Sequence, residues 1–111
     1  MTGGGRGRSE LDRLTAALDE LAWQEQVEAE YAERHPDQPG ETAVEDGLRG
    51  LAGSVTPELL DALERVPGYA AWVLRLSPLV PGDDPRARAT RHREDPSARV
   101  RYWAARLLDG D

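Results

Sequence analysis

The sequence predicts an all-α fold, a compact bundle of five to six short helices. Three observations carry that prediction. Apolar residues recur at three- and four-residue spacing along most of the chain, which gathers them on one side of a helix. Thr56-Pro57, Asp84-Pro85 and Asp95-Pro96 each set a capping residue directly before a proline, the arrangement of a helix start. No segment shows strand-like alternation of useful length. A chain of 111 residues has about the length of one domain.

Residues 1–8, with the run TGGGRGR, read as a disordered tail ahead of a single helical domain over 9–111. The first helix begins at Ser9, with Ser9 and Asp12 as a loose capping box. Leu11, Leu14, Leu18, Leu21 and Ala22 form its apolar stripe. Trp23, Val27 and Tyr31 then form a second series, on the opposite side of a straight helix. Either the helix breaks near residue 23 or it is buried on two faces. The breaker RHPDQPG (34–40) ends it.

Residues 41–53 read as a second helix with Thr42 and Glu45 as its capping box and Val44, Leu48, Leu51 and Ala52 inward. Gly47 and Gly50 each cost about 1 kcal/mol against alanine there, so packing must hold it. The third helix starts at the Thr56 cap and packs through Leu59, Leu60, Leu63 and Val66. The next segment holds Tyr69, Trp72, Val73 and Leu76 at helical spacing. It is the most apolar stretch and the expected centre of the core, ended by Pro78 and Pro81. Residues 84–94 offer almost nothing apolar beyond alanine, which predicts a short surface helix capped by Asp84, or a loop. The last helix takes Asp95 as cap and Pro96 at its first position. Val100, Trp103, Ala104, Leu107 and Leu108 face inward and Gly110 stands at its stop.

The net charge is −7 and is unevenly placed. Residues 10–46 hold twelve acids against Arg13 and Arg34, a balance of −10, whereas 86–106 hold seven arginines against Glu94 and Asp95, a balance of +5. Complementarity within the chain is the favoured reading of that asymmetry. Lys, Ile, Phe, Asn and Cys are absent, a pattern expected of a GC-rich bacterial genome. Without cysteine there are no disulfides, thiolate metal sites or cysteine nucleophiles, and without lysine no Schiff base and no P-loop lysine. No apolar run approaches the roughly 18 residues that span a bilayer, and the N-terminus lacks an apolar leader. A cytoplasmic protein without membrane contact is the expectation.

Asp95, Val100, Arg101, Ala104, Ala105, Leu107 and Gly110, spaced D-x4-V-R-x2-A-A-x-L-x2-G, resemble one helix of a HEAT-type repeat. The stretch PELLDALERV (57–66) is similar to the partner helix of such a repeat. That resemblance implies stacked helix pairs that bind other proteins through a curved surface. A short HEAT-like array thus stands beside an irregular bundle. The stretches DPRARAT (84–90) and DPSARVR (95–101) are alike at an offset of 11, too short for a helix-pair repeat.

Catalytic signals are sparse. His35 with Asp37, or His92 with Glu94 and Asp95, would give only part of a metal site, and solvated surface histidines are the favoured reading. E-x-x-E pairs occur without the E-x-x-H that a di-iron bundle needs. No phosphate loop, nucleophile elbow or dinucleotide fingerprint appears. The expectation is therefore a non-enzyme without cofactor or metal. Two surface stripes remain as candidate partner sites: Trp23, Val27 and Tyr31, an apolar patch edged with acids, and Arg99, Tyr102 and Arg106, two guanidinium forks flanking a phenol. Ordinary alternatives are packing of the first stripe inside the domain, and for the second a solvated face with Asp95–Arg99 and Asp109–Arg106 pairs. The expected function is binding of another protein or peptide, as adaptor, regulator, accessory subunit or inhibitor, with a homo-oligomer allowed. The alternative is nucleic-acid binding through Arg86, Arg88, Arg91, Arg93 and Arg101, disfavoured by the acidic segment.

Overall fold

In a computed structural model of the chain, residues 4–37 and 43–109 are described. The elements are α1 (Gly4–Arg34), α2 (Ala43–Ala52), α3 (Pro57–Glu64), α4 (Ala70–Leu76), a 3-10 turn (Ser77–Leu79), α5 (Pro85–Arg91) and α6 (Ala98–Asp109). Among the described residues the fold is all-α, with six helices and no strand.

Helix α1 corrects the sequence reading twice. It begins at Gly4, so Ser9 stands inside the helix rather than at its start, and the expected tail over 1–8 is helical from Gly4 on. It also runs unbroken to Arg34, and it is not buried on two faces. Leu14, Leu18 and Leu21 are buried, whereas Trp23, Val27 and Tyr31 are exposed. Between residues 10 and 34 the helix contains no Gly or Pro and many Ala, Leu, Glu and Gln, so nothing in the backbone breaks it. Its 31 residues span about 46 Å at 1.5 Å per residue. That length sets the long dimension of the molecule, which measures 52 × 31 × 25 Å.

Two apolar clusters share α4 as their wall. The larger joins α1 to α4 through Leu14, Leu18, Leu48, Leu60, Leu63, Val73 and Leu76. The smaller joins α4, α5 and α6 through Ala71, Leu74, Ala89, Val100 and Ala104. Every residue from Ala71 to Leu76 is buried, so the most apolar segment is indeed central. At Gly47 an added Cβ would stand 2.7 Å from Leu21 Cδ2, so this glycine lets α2 lie close on α1.

Caps decide the remaining boundaries. Thr56 accepts from the Leu59 N–H and Asp84 from the Ala87 N–H, both at 3.1 Å, as their Thr-Pro and Asp-Pro signals require. The Thr42 box and the Gly110 stop lie outside the described residues. Asp95 does not cap α6. Its Oδ1 accepts from the Ser97 N–H at 2.9 Å, a tight local turn, and Ser97 Oγ accepts from the Val100 N–H at the helix start. Helix α5 is not confined to the surface as expected, because Arg88 and Ala89 are buried.

Candidate functional site

Past Leu21 the inward positions of α1 pass from leucine to Glu25 and Glu28, four and seven residues on. Glu25 faces α4 and α6. Its carboxylate accepts from Arg75 Nη1 at 3.0 Å and from Arg99 Nη2, also at 3.0 Å. The Arg75 side chain is only 5% exposed and lies between two indoles, 4.7 Å from the Trp72 centroid and 4.6 Å from that of Trp103. Arg99 lies 5.8 Å from the Trp72 ring on α4, and Arg106 5.5 Å from Trp103 on α6. Arginines and aromatic rings thus alternate along α4 and α6, with Glu25 supplying the counter-charge. A guanidinium on an aromatic face stays well placed with little water, provided a carboxylate balances it.

A second arginine centre holds α5. Arg88 Nε and Nη2 form a fork on Asp83, both at 2.7 Å, while Nη1 donates to Glu64 at 2.6 Å and Nη2 pairs with Asp61 at 2.9 Å. Ser77 Oγ also donates to Asp83. Glu64 further accepts from Arg91 Nη2 at 2.9 Å and bonds His92 Nε2 at 2.6 Å. Burial alone would raise the Asp83 and Glu64 carboxyls. Arg88 and Ser77 on the one, and Arg91 and His92 on the other, outweigh burial and hold both below the ordinary range. Asp83 in turn raises Arg88 above its ordinary value, against burial. His92 is thereby only 15% exposed, bonded to Glu64 and Asp95 rather than solvated as expected. His35 stacks on Tyr31 with centroids 4.2 Å apart.

The sequence-predicted residues therefore separate into two surfaces. Trp23, Val27 and Tyr31 lie 68%, 42% and 52% exposed along the outer face of α1. Helical geometry sets Trp23 and Val27 about 160° from Glu25, so this stripe points away from the ladder. Arg99, Tyr102 and Arg106 lie on α6, and the structure does not bring them to the stripe. The expected Asp95–Arg99 pair gives way to Glu25–Arg99, because Asp95 is turned to Ser97 and His92. Arg106 Nη1 donates to the Tyr102 hydroxyl at 3.2 Å. Arg106 also edges a shallow groove of about 290 Å³ floored by Leu74, Leu79, Trp103 and Leu107.

Sequence reasoning missed Glu25, Arg75 and Glu64, and took Arg88 for a phosphate contact rather than a buried ion-pair centre. One signal was present: Arg75 interrupts the most apolar run, beside a tryptophan, and such an arginine needs a carboxylate from elsewhere. Among the described residues no group of three or more His, Asp or Glu side chains is placed to hold a metal ion, and no buried side-chain polar atom lacks a partner. Among the described residues no helix is long and apolar enough to cross a membrane. No family model matches the sequence, and neither a curated protein nor a solved structure shows significant similarity to it.

Proposed function

We propose that the protein is a non-catalytic binding module, an adaptor, regulator, inhibitor or accessory subunit, that presents the outer face of α1 to a protein partner. One observation carries the reading. A tryptophan, a valine and a tyrosine are left in water along a helix whose opposite side is fastened by Glu25 to α4 and α6. Aromatic side chains on a pre-ordered helix give large contact area at small entropic cost, the character of interface anchors. The Arg106 groove is a second contact, suited to an acidic peptide with an apolar anchor. We place such a module in the cytoplasm, without a cofactor. The HEAT-like likeness of 57–66 and 95–110 enters as a proposal only.

The nucleic-acid alternative draws less support. Arg88 is enclosed by carboxylates, Arg91 is spent on Glu64, and Arg101 donates to the Asp95 and Pro96 carbonyls. A salt titration of DNA and RNA binding checks it: affinity falling steeply with salt would favour it.

The interaction reading is tested with a photo-crosslinking amino acid at Val27 in the producing cell, with exposed Glu58 on α3 as the control position. We expect a defined protein joined at 27 and not at 58, and at least about tenfold weaker binding of that purified protein to Trp23→Ala. Identical products at both positions, or unchanged affinity, would overturn the reading.

A further inference from the structure

We propose that the outer face of α1 pairs with a second copy of this chain, antiparallel, on a twofold axis through Val27. The inference rests on the reading of that face as an interaction surface and adds its occupant. Its support is a symmetry in the sequence of an exposed helix. The outward positions Glu20, Trp23, Val27, Tyr31 and Arg34 are spaced three, four, four and three, a pattern that reads alike in both directions. All five are exposed.

When two helices pair antiparallel about residue 27, positions whose numbers sum to 54 stand level. Val27 then meets its own copy, Trp23 meets the copy's Tyr31, and Glu20 meets the copy's Arg34, each hetero-pair occurring twice. Charge agrees along the whole arm. Glu28 stands level with Gln26, Glu30 with Gln24 and Glu33 with Leu21, so no acid between 20 and 34 stands level with another acid. That matters because the arm is strongly acidic and a wrong register would set carboxylates together. Moving the register one turn leaves one kind of apolar pair, Trp23 with Val27 or Val27 with Tyr31, and sets Glu20 or Glu28 level with Glu30. Antiparallel dipoles favour the arrangement, and the 3-4 spacing suits a shallow crossing of about 20°. The domain lies on the other side of α1, where Leu14, Leu18 and Leu21 are buried, so it leaves the face open. A self-complementary patch is what a twofold interface requires.

The test uses the full chain, which contains no cysteine, so each introduced thiol is the only one. Sedimentation equilibrium should show a monomer–dimer mass that rises with concentration. Trp23→Ser should weaken the dimer at least about tenfold. Glu20→Arg and Arg34→Glu should each weaken it about threefold, and the double variant should return it close to the starting affinity. Oxidation should join Val27→Cys chains quickly. Glu20→Cys and Arg34→Cys should join when mixed but slowly alone, and Glu58→Cys should stay slow. Circular dichroism establishes that each variant is folded. A monomeric mass up to about 0.5 mM, where even weak pairs associate, would overturn the proposal. So would Val27→Cys reacting no faster than Glu58→Cys, or a double variant that restores nothing. A monomer that still crosslinks one other protein at Val27 would refute the second copy and leave the interaction reading standing. A dimer with no other protein at Val27 would leave the second copy standing and confine the interaction reading to self-association.

Discussion

The two halves of α1 are inverted with respect to each other. Up to Leu21 the inward side is leucine and is buried, as an amphipathic helix on a core should be. Beyond it the inward side carries Glu25 and Glu28, while the apolar residues have moved to the outer face. One helix therefore changes its means of attachment midway, from apolar burial to ion pairs with Arg75 and Arg99. The difference teaches that charge can hold a helix to its domain where apolar burial stops. Ion pairs hold the second half beside α4 and α6, while Trp23, Val27 and Tyr31 stay exposed on its outer face.

The largest expected effect lies in the leucine half. Leu18 is fully buried, and Leu18→Ala should cost about 3 kcal/mol in chemical denaturation, because the cavity cannot be filled by rigid neighbours. A loss under about 1 kcal/mol would mean that this half is as loosely held as the arm.

Next comes the ionic half. Glu25→Gln leaves the Arg75 guanidinium buried with only Glu45 near, at 3.9 Å, and should cost about 2 kcal/mol. The loss is below that of a fully buried pair because the Glu25 side chain is 37% exposed. Amide exchange should quicken over 26–34 more than over 10–21, and an even change along α1 would dissolve the contrast.

Acid sharpens the comparison further. Asp83, Glu64 and Asp95 are held below their ordinary values of 3.8, 4.5 and 3.8, so each binds its proton more weakly folded than unfolded. Their stabilisation is complete above those ordinary values and is lost as pH falls through the lowered folded ones. The urea midpoint should decline below about pH 4.5, and exchange in α5 should rise before exchange at Leu14–Leu21.

The smallest stability effect belongs to the stripe. Trp23→Ala should change stability by less than about 0.5 kcal/mol, since the ring is 68% exposed. A larger loss in the monomer would show that the tryptophan packs within the domain.

Some elements were legible because their signals are local. Thr56-Pro57 and Asp84-Pro85 mark α3 and α5 because a cap needs only a side chain and an amide three residues away. Asp95-Pro96 carries the same signal and misleads, since His92 and Ser97 compete for the carboxylate and delay the helix to Ala98. The apparent conflict between the two stripes of α1 arose from requiring both to be buried. The Trp23 stripe could be read as a candidate surface, but its exposure could not, because burial depends on whether another helix arrives there. The arginine centres were the least legible part. Glu25 and Arg75 are fifty residues apart, as are Asp19 and Tyr69, whose hydroxyl donates at 2.7 Å.

The sequence by itself determined that the chain is helical, where most helices run, that α4 is central and that charge is divided between an acidic and a basic end. These follow from periodicity, caps and composition, which act over one or two turns. Only the tertiary structure decided that α1 continues as an arm, that Arg75 and Arg88 are buried, and that Trp23, Val27 and Tyr31 meet water. A charge enters a protein interior only where a distant carboxylate meets it, and that meeting is a property of the packed fold.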